Sequence, residues 1–269
     1  MNKIISPIKN ELELFENTLK EVILKENNFL TYDLEKFIFA NPKRLRPIFI
    51  FLFARILKIE NPLVVDIALI TELIHNASLI HDDIIDEEKI RRNNPTFFEK
   101  YGSKLAVLEG DLLLSIALEK ISFTTLEISK IFAKRIKATI QGEIKQNENL
   151  NQLTDIETYL NKTSAKTANL FIAGLEALFT STSKNENLLN FIKNYALAFQ
   201  IKNDIDNFKK DKSDIKNGNY TLPMIYSSIE KSIEYVENIK KIALKELDLI
   251  EDSIYKVSLI ELTNYTLRS

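Results

Sequence analysis

Apolar residues recur along most of this chain at the three- and four-residue spacing of an amphipathic helix. Only five Gly and six Pro occur among 269 residues, so long segments run without a helix breaker. We find no alternating pattern that predicts a strand. The pattern predicts an all-α fold, a single-domain helical bundle over residues 1–269. The predicted helices run near residues 6–26, 30–39, 43–57, 63–88, 95–99, 103–121, 124–148, 153–180, 185–209, 221–229 and 231 to the end.

Two of the predicted helices are apolar on most of their circumference: Leu63 to Ile85 and, less completely, Leu188 to Ile201. Helices of this kind belong at the centre of a bundle. A polar cluster lies at the C-terminal end of each. If both helices are central, these clusters can face each other across one cavity mouth, so we expect them to bind one substrate together.

The composition narrows the class of protein. The chain is 45% hydrophobic and 28% charged, with a formal net charge of -2, which allows a large core and leaves no general basic surface. A nucleic-acid partner is therefore not expected. The sequence contains no Cys, which excludes disulfides and thiolate metal sites. A reducing compartment fits this composition, and we expect a cytoplasmic protein.

Neither a secretory signal nor a transmembrane segment is predicted. The first residues carry acidic groups early and lack a continuous apolar region. The strongest apolar run, Ile48 to Ala54, is far shorter than the ~20 residues that span a bilayer. We therefore expect any membrane-like substrate to be held inside the fold or at its mouth.

Three aspartates close the first apolar helix, and we call Asp82, Asp83 and Asp86 the first acidic motif. A helix C-terminus carries partial negative charge, so these carboxylates repel it and one another unless a cation is present. A rotation of about 100° per residue places Asp82 and Asp86 on one face, which suits oxygen-only ligation of Mg²⁺. Such a site leaves positions for phosphate oxygens, so a diphosphate substrate is expected. A solvated helix end is the alternative, and the apolar helix before it argues against that.

Basic and polar elements follow a definite order along the chain. The basic element, Lys43 to Pro47, stands at the start of an apolar helix, where backbone N–H groups also favour anions. A solvated basic turn is the alternative for this element. The further elements, each weak alone, are the pair Arg91-Arg92, the pair Lys166-Thr167 and the segment Phe199 to Asn207.

In this order the elements closely resemble the trans-prenyltransferases, the polyprenyl synthetase family, which makes farnesyl, geranylgeranyl and longer linear diphosphates. The resemblance covers nearly the whole chain. It implies an all-α fold of the isoprenoid synthase type around a deep central cavity, usually in a homodimer. The other segments that carry it are Glu72 to His75, Gly110 to Leu113, Gln141 to Glu143 with Gln146, and Gly218 with Thr221 to Pro223.

The implied activity is a Mg²⁺-dependent, head-to-tail condensation of isopentenyl diphosphate with an allylic diphosphate. Up to three Mg²⁺ ions would bind with the diphosphate. Ionising the allylic C–O bond requires neutralisation of the leaving diphosphate, which Mg²⁺, Arg and Lys provide in a site shielded from water. The residues that the resemblance implicates in catalysis are Asp82, Asp83, Asp86, Arg91 and Lys166.

The resemblance also implies substrate contacts. His75 lies in a nearly continuous apolar helix, where a hydrogen-bonded core histidine is the alternative to a ligand. The residues that match isopentenyl diphosphate contacts are Lys43, Arg46, His75 and Arg92. Arg91 and Lys166 match contacts to the allylic diphosphate. Thr167 and Gln200 complete the implied substrate contacts.

The sequence departs from the family at a second acidic position, usually DDxxD, where it has Asn203, Asp204 and Asn207; we call these the second motif. Asn oxygens can ligate Mg²⁺, but two charges are missing. The segment also resembles the NSE metal motif of class I terpene cyclases, with Asn203, Asn207 and Asp211 on one helical face. We hypothesise that these three residues form the second metal cluster, beside Asp82 and Asp86 in the first.

Two other functions remain open. A class I terpene cyclase is suggested by the NSE-like segment, but it would have no use for Lys43, Arg46 and His75, which serve a second diphosphate. A weakly active or regulatory subunit of a heteromeric prenyl diphosphate synthase is suggested by the altered second motif. Such subunits commonly lose the first acidic motif as well, and this chain keeps it.

Product length depends in this family on the residues four and five places before the first Asp, where large aromatics stop growth. Here they are Ser78 and Ala77. Small side chains leave the tunnel open, so we predict a product of C20 or longer. Deeper residues around Leu113 to Ala117 are expected to set the final stop.

Overall fold

The computed structural model describes residues 1–26, 31–148, 150–210 and 218–268, with the backbone alone at 31–32 and 164–167. The described chain is mostly helical, which confirms the predicted all-α fold. The helices are α1 (Asn2–Ile5), α2 (Lys9–Lys25), α3 (Thr31–Phe39), α4 (Leu45–Ile56), α5 (Leu63–Ile85), α6 (Phe97–Ser122), α7 (Leu126–Glu148), α8 (Ile156–Phe179), α9 (Glu186–Lys210), α10 (Leu222–Ile225), α11 (Ile229–Glu246) and α12 (Ile254–Thr266). Short 3-10 turns occupy Ser6–Ile8 and Leu247–Leu249.

Most predicted helix bounds lie within a few residues of the observed ones, and the exceptions are at the chain ends. The helix predicted over residues 6–26 is a 3-10 turn followed by α2, and the short helix α1 precedes it. The helix predicted from residue 231 to the end is two helices, because Ser253 is extended and its side chain accepts from the backbone N–H of Lys256 at 3.1 Å. This N-cap starts a new helix. The predicted break near residue 100 is confirmed at Gly102, where φ is 76° inside α6.

An antiparallel pair of two-residue strands, β1 (Ile90–Arg91) and β2 (Asn94–Pro95), contradicts the expectation that no strand forms. The two residues between the strands, Arg92 and Asn93, both have positive φ, 51° and 65°. A tight two-residue hairpin requires this backbone conformation. Asn tolerates it, whereas for Arg it costs roughly 1–2 kcal/mol. The chain therefore accepts backbone strain at the residue that the hairpin presents at its turn.

The chain divides into two compact units. The amino-terminal unit comprises Ile8–Phe51 and Glu60–Ser129, and within it α5 packs on α6 and α2. Residues on nearly every side of α5 are buried, including the polar Glu72, Asn76 and Asp83. The predicted buried position of this helix is confirmed within its unit.

By length and hydropathy α5 could cross a membrane, contrary to the expectation that no segment qualifies. However, 67% of its apolar window is buried inside the protein. A core helix has both properties, since a helix that is apolar all round is buried either in a large core or in lipid.

The carboxy-terminal unit comprises Met1–Pro7, Leu52–Ile59 and the chain from Lys130 onward. Its helix α9 packs against α8 and α11. Three aromatic rings surround Tyr195 in this core, with centroids 5.9, 6.2 and 5.9 Å from that of Tyr195: Phe171, Phe191 and Phe199. Their packing limits rotation of α9 about its axis. The single domain predicted for residues 1–269 stays a prediction.

Candidate functional site

The first acidic motif lies where α5 ends. Asp86 is the C-cap, and its backbone N–H still donates to the carbonyl of Asp82 at 2.8 Å, so the predicted neighbourhood of these two residues is confirmed. Both side chains are partly exposed, whereas Asp83 is buried. Among the residues described, no three His, Cys, Asp or Glu side chains are arranged to hold a metal alone. The carboxylates of Asp82 and Asp86 fit Mg²⁺, which takes one or two carboxylates and completes its shell with water and phosphate oxygens.

Asp83 binds an arginine of the hairpin. Its Oδ1 accepts from Nε of Arg91 at 2.7 Å and lies 2.6 Å from Nη2. Burial raises the pKa of Asp83 above its ordinary value, and the Arg91 guanidinium opposes that rise. The other oxygen, Oδ2, is buried and accepts no hydrogen bond from any described residue. Asp83 therefore holds Arg91 beside the motif.

Thr96 positions the hairpin between the end of α5 and the start of α6. Its hydroxyl donates to the carbonyl of Glu88 at 2.7 Å, and its backbone N–H donates to the carbonyl of Lys89 at 3.0 Å. The same hydroxyl accepts from the backbone N–H of Glu99 at 3.1 Å and caps α6. One side chain thus fixes both ends of the segment that carries Arg91 and Arg92.

The middle cation of the basic element, Arg44, is an internal anchor that the motif did not reveal. Its guanidinium donates to Glu16 at 2.7 and 3.0 Å and to Glu72 at 2.8 Å. It also lies 5.2 Å from the ring centroid of Phe39 and 5.7 Å from that of Phe15. Lys43 is exposed and precedes α4, as predicted for an anion contact. Since only tertiary packing brings the two carboxylates to Arg44, spacing along the chain could not show this role.

His75 lies on α5, seven residues before Asp82. Burial lowers the pKa of His75 well below its usual value, and the positive charges of Arg46, Arg92, Arg91 and Arg44 lower it further. The imidazole is therefore neutral at neutral pH and keeps one N–H donor. The structure brings the basic element, the hairpin arginines and His75 into one electrostatic group within the amino-terminal unit.

A cavity of about 170 Å³ opens beside the hairpin. Arg91 and Arg92 line it together with the aromatic rings of Phe37 and Phe97. Burial lowers the pKa of Arg92, and the nearby Arg91 and Arg44 contribute to that shift. A negatively charged ligand would relieve this repulsion, so the hairpin is suited to bind an anion.

Gly110 begins one of the segments that carry the family resemblance, and the structure shows why this position on α6 is a glycine. A Cβ at this position would lie 2.2 Å from Nε2 of His81, so the imidazole rests directly on the helix backbone. His81 precedes Asp82, and its Nε2 lies 3.4 Å from Oδ1 of Asp111. A side chain at Gly110 would displace the His81 ring.

The two residues assigned to product length lie on the same helix. Ala77 is buried, and Ser78 is partly exposed with its hydroxyl donating to the carbonyl of His75 at 2.8 Å. On α6, Leu113 and Ala117 are fully buried. Their role in setting chain length stays a prediction.

The second motif lies on α9. Asp204 is buried, and its Oδ2 accepts from the hydroxyl of Tyr159 at 2.5 Å, while its Oδ1 accepts from Nε2 of Gln200 at 2.8 Å. Asn203 and Asn207 are partly exposed. Gln200, predicted to contact substrate, contacts Asp204 in the structure, and Tyr159 was not singled out from sequence.

Three of the predicted site residues cannot be placed. The side chains of Lys166 and Thr167 lie outside the described part of the chain, although their backbone belongs to α8. Asp211, proposed as a metal ligand, lies wholly outside the described residues. Their roles stay predictions.

Known proteins share the sequence and the fold. Residues 28–256 match the polyprenyl synthetase family. The chain is 30% identical to a prenyl transferase of Synechocystis sp., with 98% of this chain and 97% of the relative covered. It is 30% identical to solanesyl diphosphate synthase 2, chloroplastic, of Arabidopsis thaliana, with 99% and 76% covered.

Among solved structures, the fold superposes on polyprenyl synthase from Caulobacter crescentus CB15, complexed with calcium and isoprenyl diphosphate. The TM-score is 0.92 at 21% identity, with 99% of this chain and 97% of that chain covered. The match over residues 28–256, the full-length relatives and the arrangement of the basic element and first acidic motif agree: this chain belongs to the polyprenyl synthetase family.

Proposed function

We propose that this protein condenses isopentenyl diphosphate with an allylic diphosphate to give a linear trans-polyprenyl diphosphate of C20 or longer. The observation that carries the proposal is the group formed in the amino-terminal unit by the first acidic motif, the hairpin arginines, the basic element and His75. Relatives named as solanesyl diphosphate synthase 2 and heptaprenyl diphosphate synthase component 2 support elongation to this length.

Magnesium is the metal that we propose for this reaction, with up to three ions bound together with the diphosphate. Asp82 and Asp86 would hold it, because their carboxylates are partly exposed while Asp83 is occupied by Arg91. We also propose Asn203, Asn207 and Asp211 as metal ligands. When bound, the metal neutralises the charge that develops on the leaving diphosphate. The Caulobacter structure contains calcium, another divalent ion that prefers oxygen ligands.

The residues of the chain have separate tasks in the proposed reaction. Arg91 and Lys166 bind the allylic diphosphate and stabilise the negative charge that it gains when the allylic C–O bond breaks with its electron pair. Asp83 orients Arg91 for this. The double bond of isopentenyl diphosphate then attacks the allylic cation and forms the new C–C bond. The proton that is lost goes to the released diphosphate, so no side-chain nucleophile is needed.

The second diphosphate requires its own set of donors. Lys43, Arg46 and Arg92 supply positive charge for isopentenyl diphosphate, and neutral His75 supplies an N–H donor. The contacts of Arg44 with Glu16 and Glu72 hold the backbone from which Lys43 and Arg46 project. A terpene cyclase has one diphosphate to bind and would leave this set unused.

One assay tests the proposed function. The purified chain is incubated with Mg²⁺, labelled isopentenyl diphosphate and geranyl or farnesyl diphosphate, and the products are separated by chromatography. Elongated diphosphates are expected, and they should be lost when Mg²⁺ is chelated. Hydrocarbon products would instead identify a cyclase, and an absence of turnover without a partner chain would identify a regulatory subunit.

A substitution on α5 tests which residue limits product length. Replacing Ala77 by Phe puts a large ring on the buried face of α5 and is expected to shorten the product. Leu14→Phe, at a residue of α2 that is 55% exposed, serves as the control and should leave the product distribution unchanged. An unaltered product from Ala77→Phe would refute the assigned tunnel position.

We also propose that the active species is a homodimer formed through α6 and the start of α7. Large apolar side chains are exposed there: Leu108 is 62% exposed, Leu118 51%, Phe123 80% and Leu126 70%. We propose that these side chains contribute to one interface, because exposed apolar patches commonly mark protein interfaces. Light scattering of wild type and of Phe123→Asp with Leu126→Asp tests this, because the double variant should be a monomer.

A cytoplasmic location, proposed from the absence of Cys, is testable by cell fractionation.

A further inference from the structure

We propose that Tyr159 is a positioning residue for the second motif, and that Asp204 is its buried anchor and not a magnesium ligand. The inference rests on the proposed prenyltransferase function for its activity readout. It concerns the one carboxylate among the three residues of the second motif, which a comparison of motifs would assign to the metal.

The hydroxyl of Tyr159 is a junction between three segments. Tyr159 lies on α8 and is 1% exposed. Its hydroxyl donates to Asp204 on α9 at 2.5 Å, and it also makes hydrogen bonds with the side chain of Thr163 and the backbone of Leu222, the first residue of α10. Burial and the charge of Asp204 raise the pKa of Tyr159 well above its ordinary value, so the phenol stays a proton donor.

Both oxygens of Asp204 are engaged inside the protein. Oδ2 accepts from Tyr159 and Oδ1 accepts from Gln200 at 2.8 Å, and the residue is 7% exposed. A Mg²⁺ ion that also binds water and phosphate oxygens needs a carboxylate oxygen that solvent can reach. Asp204 lacks that access, whereas Asn203 and Asn207 are partly exposed.

The geometry of the helix explains how the anchor acts. At about 100° per residue, Asn203 and Asn207 project only about 40° apart, whereas Asp204 projects about 100° from Asn203. Fixing Asp204 to α8 therefore sets the rotation of α9 and the direction in which the two amides project. The amide oxygens carry no charge, so their affinity for a cation depends strongly on this orientation.

A purely structural role for Tyr159 would give a different experimental result. Tyr195 is the matched control: it lies on α9 itself, is fully buried, and donates its hydroxyl to Thr266 at 3.0 Å. Tyr195→Phe removes a buried hydroxyl hydrogen bond from the same helix without touching the second motif. Both Phe variants should lose thermal stability, but only Tyr159→Phe should change metal binding.

Two measurements are made on the full chain. One is the Mg²⁺ concentration that gives half-maximal prenyl transfer, and the other is the shift in melting temperature that Mg²⁺ with inorganic pyrophosphate produces. Tyr159→Phe removes a hydrogen bond to a charged group, so it should raise the Mg²⁺ requirement about tenfold and reduce the melting shift. At saturating Mg²⁺ its kcat should approach that of wild type, and Tyr195→Phe should keep the wild-type requirement.

Asp204→Asn separates the anchor from a ligand. An anchor acts through the same bond as Tyr159, so Asp204→Asn should add little to the Mg²⁺ requirement in a Tyr159→Phe background. If Asp204 were a ligand, Asp204→Asn would add its full effect in the Tyr159→Phe background, and that result would overturn the proposal. A wild-type Mg²⁺ requirement in Tyr159→Phe would also overturn it.

If Tyr159→Phe does not fold, Thr163→Val removes another bond of the same hydroxyl and must raise the Mg²⁺ requirement above that of Tyr195→Phe. Failure of wild type to elongate would refute the proposed function alone, since the melting shift still tests the anchor.

Discussion

The two motif regions use carboxylates in opposite ways. At the end of α5, Asp83 is buried against the cation Arg91 while Asp82 and Asp86 remain partly exposed. On α9, Asp204 is buried against the neutral donors of Tyr159 and Gln200 while two amides remain partly exposed. The first region therefore leaves two carboxylates partly exposed, and the second uses its carboxylate inside the protein. Similar motifs in sequence can have different electrostatic roles.

A third buried carboxylate, that of Glu109, differs from both Asp83 and Asp204. Glu109 on α6 is 2% exposed, and its Oε1 accepts no hydrogen bond from any described residue. Burial, and secondarily the charge of Glu26, raise the pKa of Glu109 to about 7. Asp83 thus lies against a cation and Asp204 against neutral donors, whereas Glu109 has neither among the described residues. The protonation of these three buried carboxylates should differ accordingly.

The largest expected effect is on catalysis by the first region. Asp82→Ala should lower kcat/KM about a thousandfold, because a metal ligand contributes several kcal/mol to charge neutralisation. Asn207→Ala, its counterpart in the second region, should cost about tenfold because an uncharged ligand is lost. Steady-state kinetics at saturating Mg²⁺ measure both. Asp206→Ala, an exposed carboxylate on α9, is the control, and equal losses in Asp82→Ala and Asn207→Ala would remove the proposed asymmetry.

The next effect is on the stability of the first region. Arg44→Leu should lower the free energy of unfolding by about 3–5 kcal/mol, because Glu72 would stay buried without its cation. Urea denaturation measures this. Lys58→Leu breaks an exposed ion pair with Glu251 and should change stability by no more than about 0.5 kcal/mol. Adding Glu72→Gln to Arg44→Leu should restore part of the loss, and no recovery would argue against the uncompensated charge as its cause.

The buried carboxylate of Glu109 predicts a pH dependence of stability. The folded pKa of Glu109 is raised from 4.5 to about 7, so the folded state holds its proton more tightly than the unfolded state. The stability that this group contributes is fully present below about pH 4.5 and is lost as pH rises to about 7.

Glu109→Gln removes this titration. Relative to wild type, its free energy of unfolding should improve by roughly 2–3 kcal/mol between about pH 5 and about pH 8. Glu119→Gln, an exposed residue of the same helix, is the control. A pH-independent difference between Glu109→Gln and wild type would show that Glu109 titrates normally.

The smallest effect tests whether the second region can be made like the first. Asn207→Asp returns a carboxylate to a partly exposed position of the second motif and should lower the Mg²⁺ concentration for half-maximal activity by up to about tenfold. Magnesium titration of activity measures it. An increased requirement would mean that this face of α9 does not approach the metal.

Much of the architecture followed from patterns that are local in the chain. The scarcity of Gly and Pro, the apolar stretch of α5 and the break at Gly102 were all readable, because helical periodicity and backbone freedom depend on neighbouring residues. The split between α11 and α12 was missed because the cap at Ser253 competes with a nearly continuous helical pattern. The hairpin was missed because its two-residue strands are too short to show alternation.

The amino-acid sequence by itself determined the all-α class, the family and the position of the first acidic motif at the end of an apolar helix. These depend on residue type and on spacing within a few turns. Only the tertiary structure decided which charges are held internally: Arg44 by Glu16 and Glu72, and Asp204 by Tyr159, 45 residues before it. The physical reason is that hydrogen bonding and desolvation depend on what surrounds a group in space, and distant segments supply those surroundings only after the chain has packed.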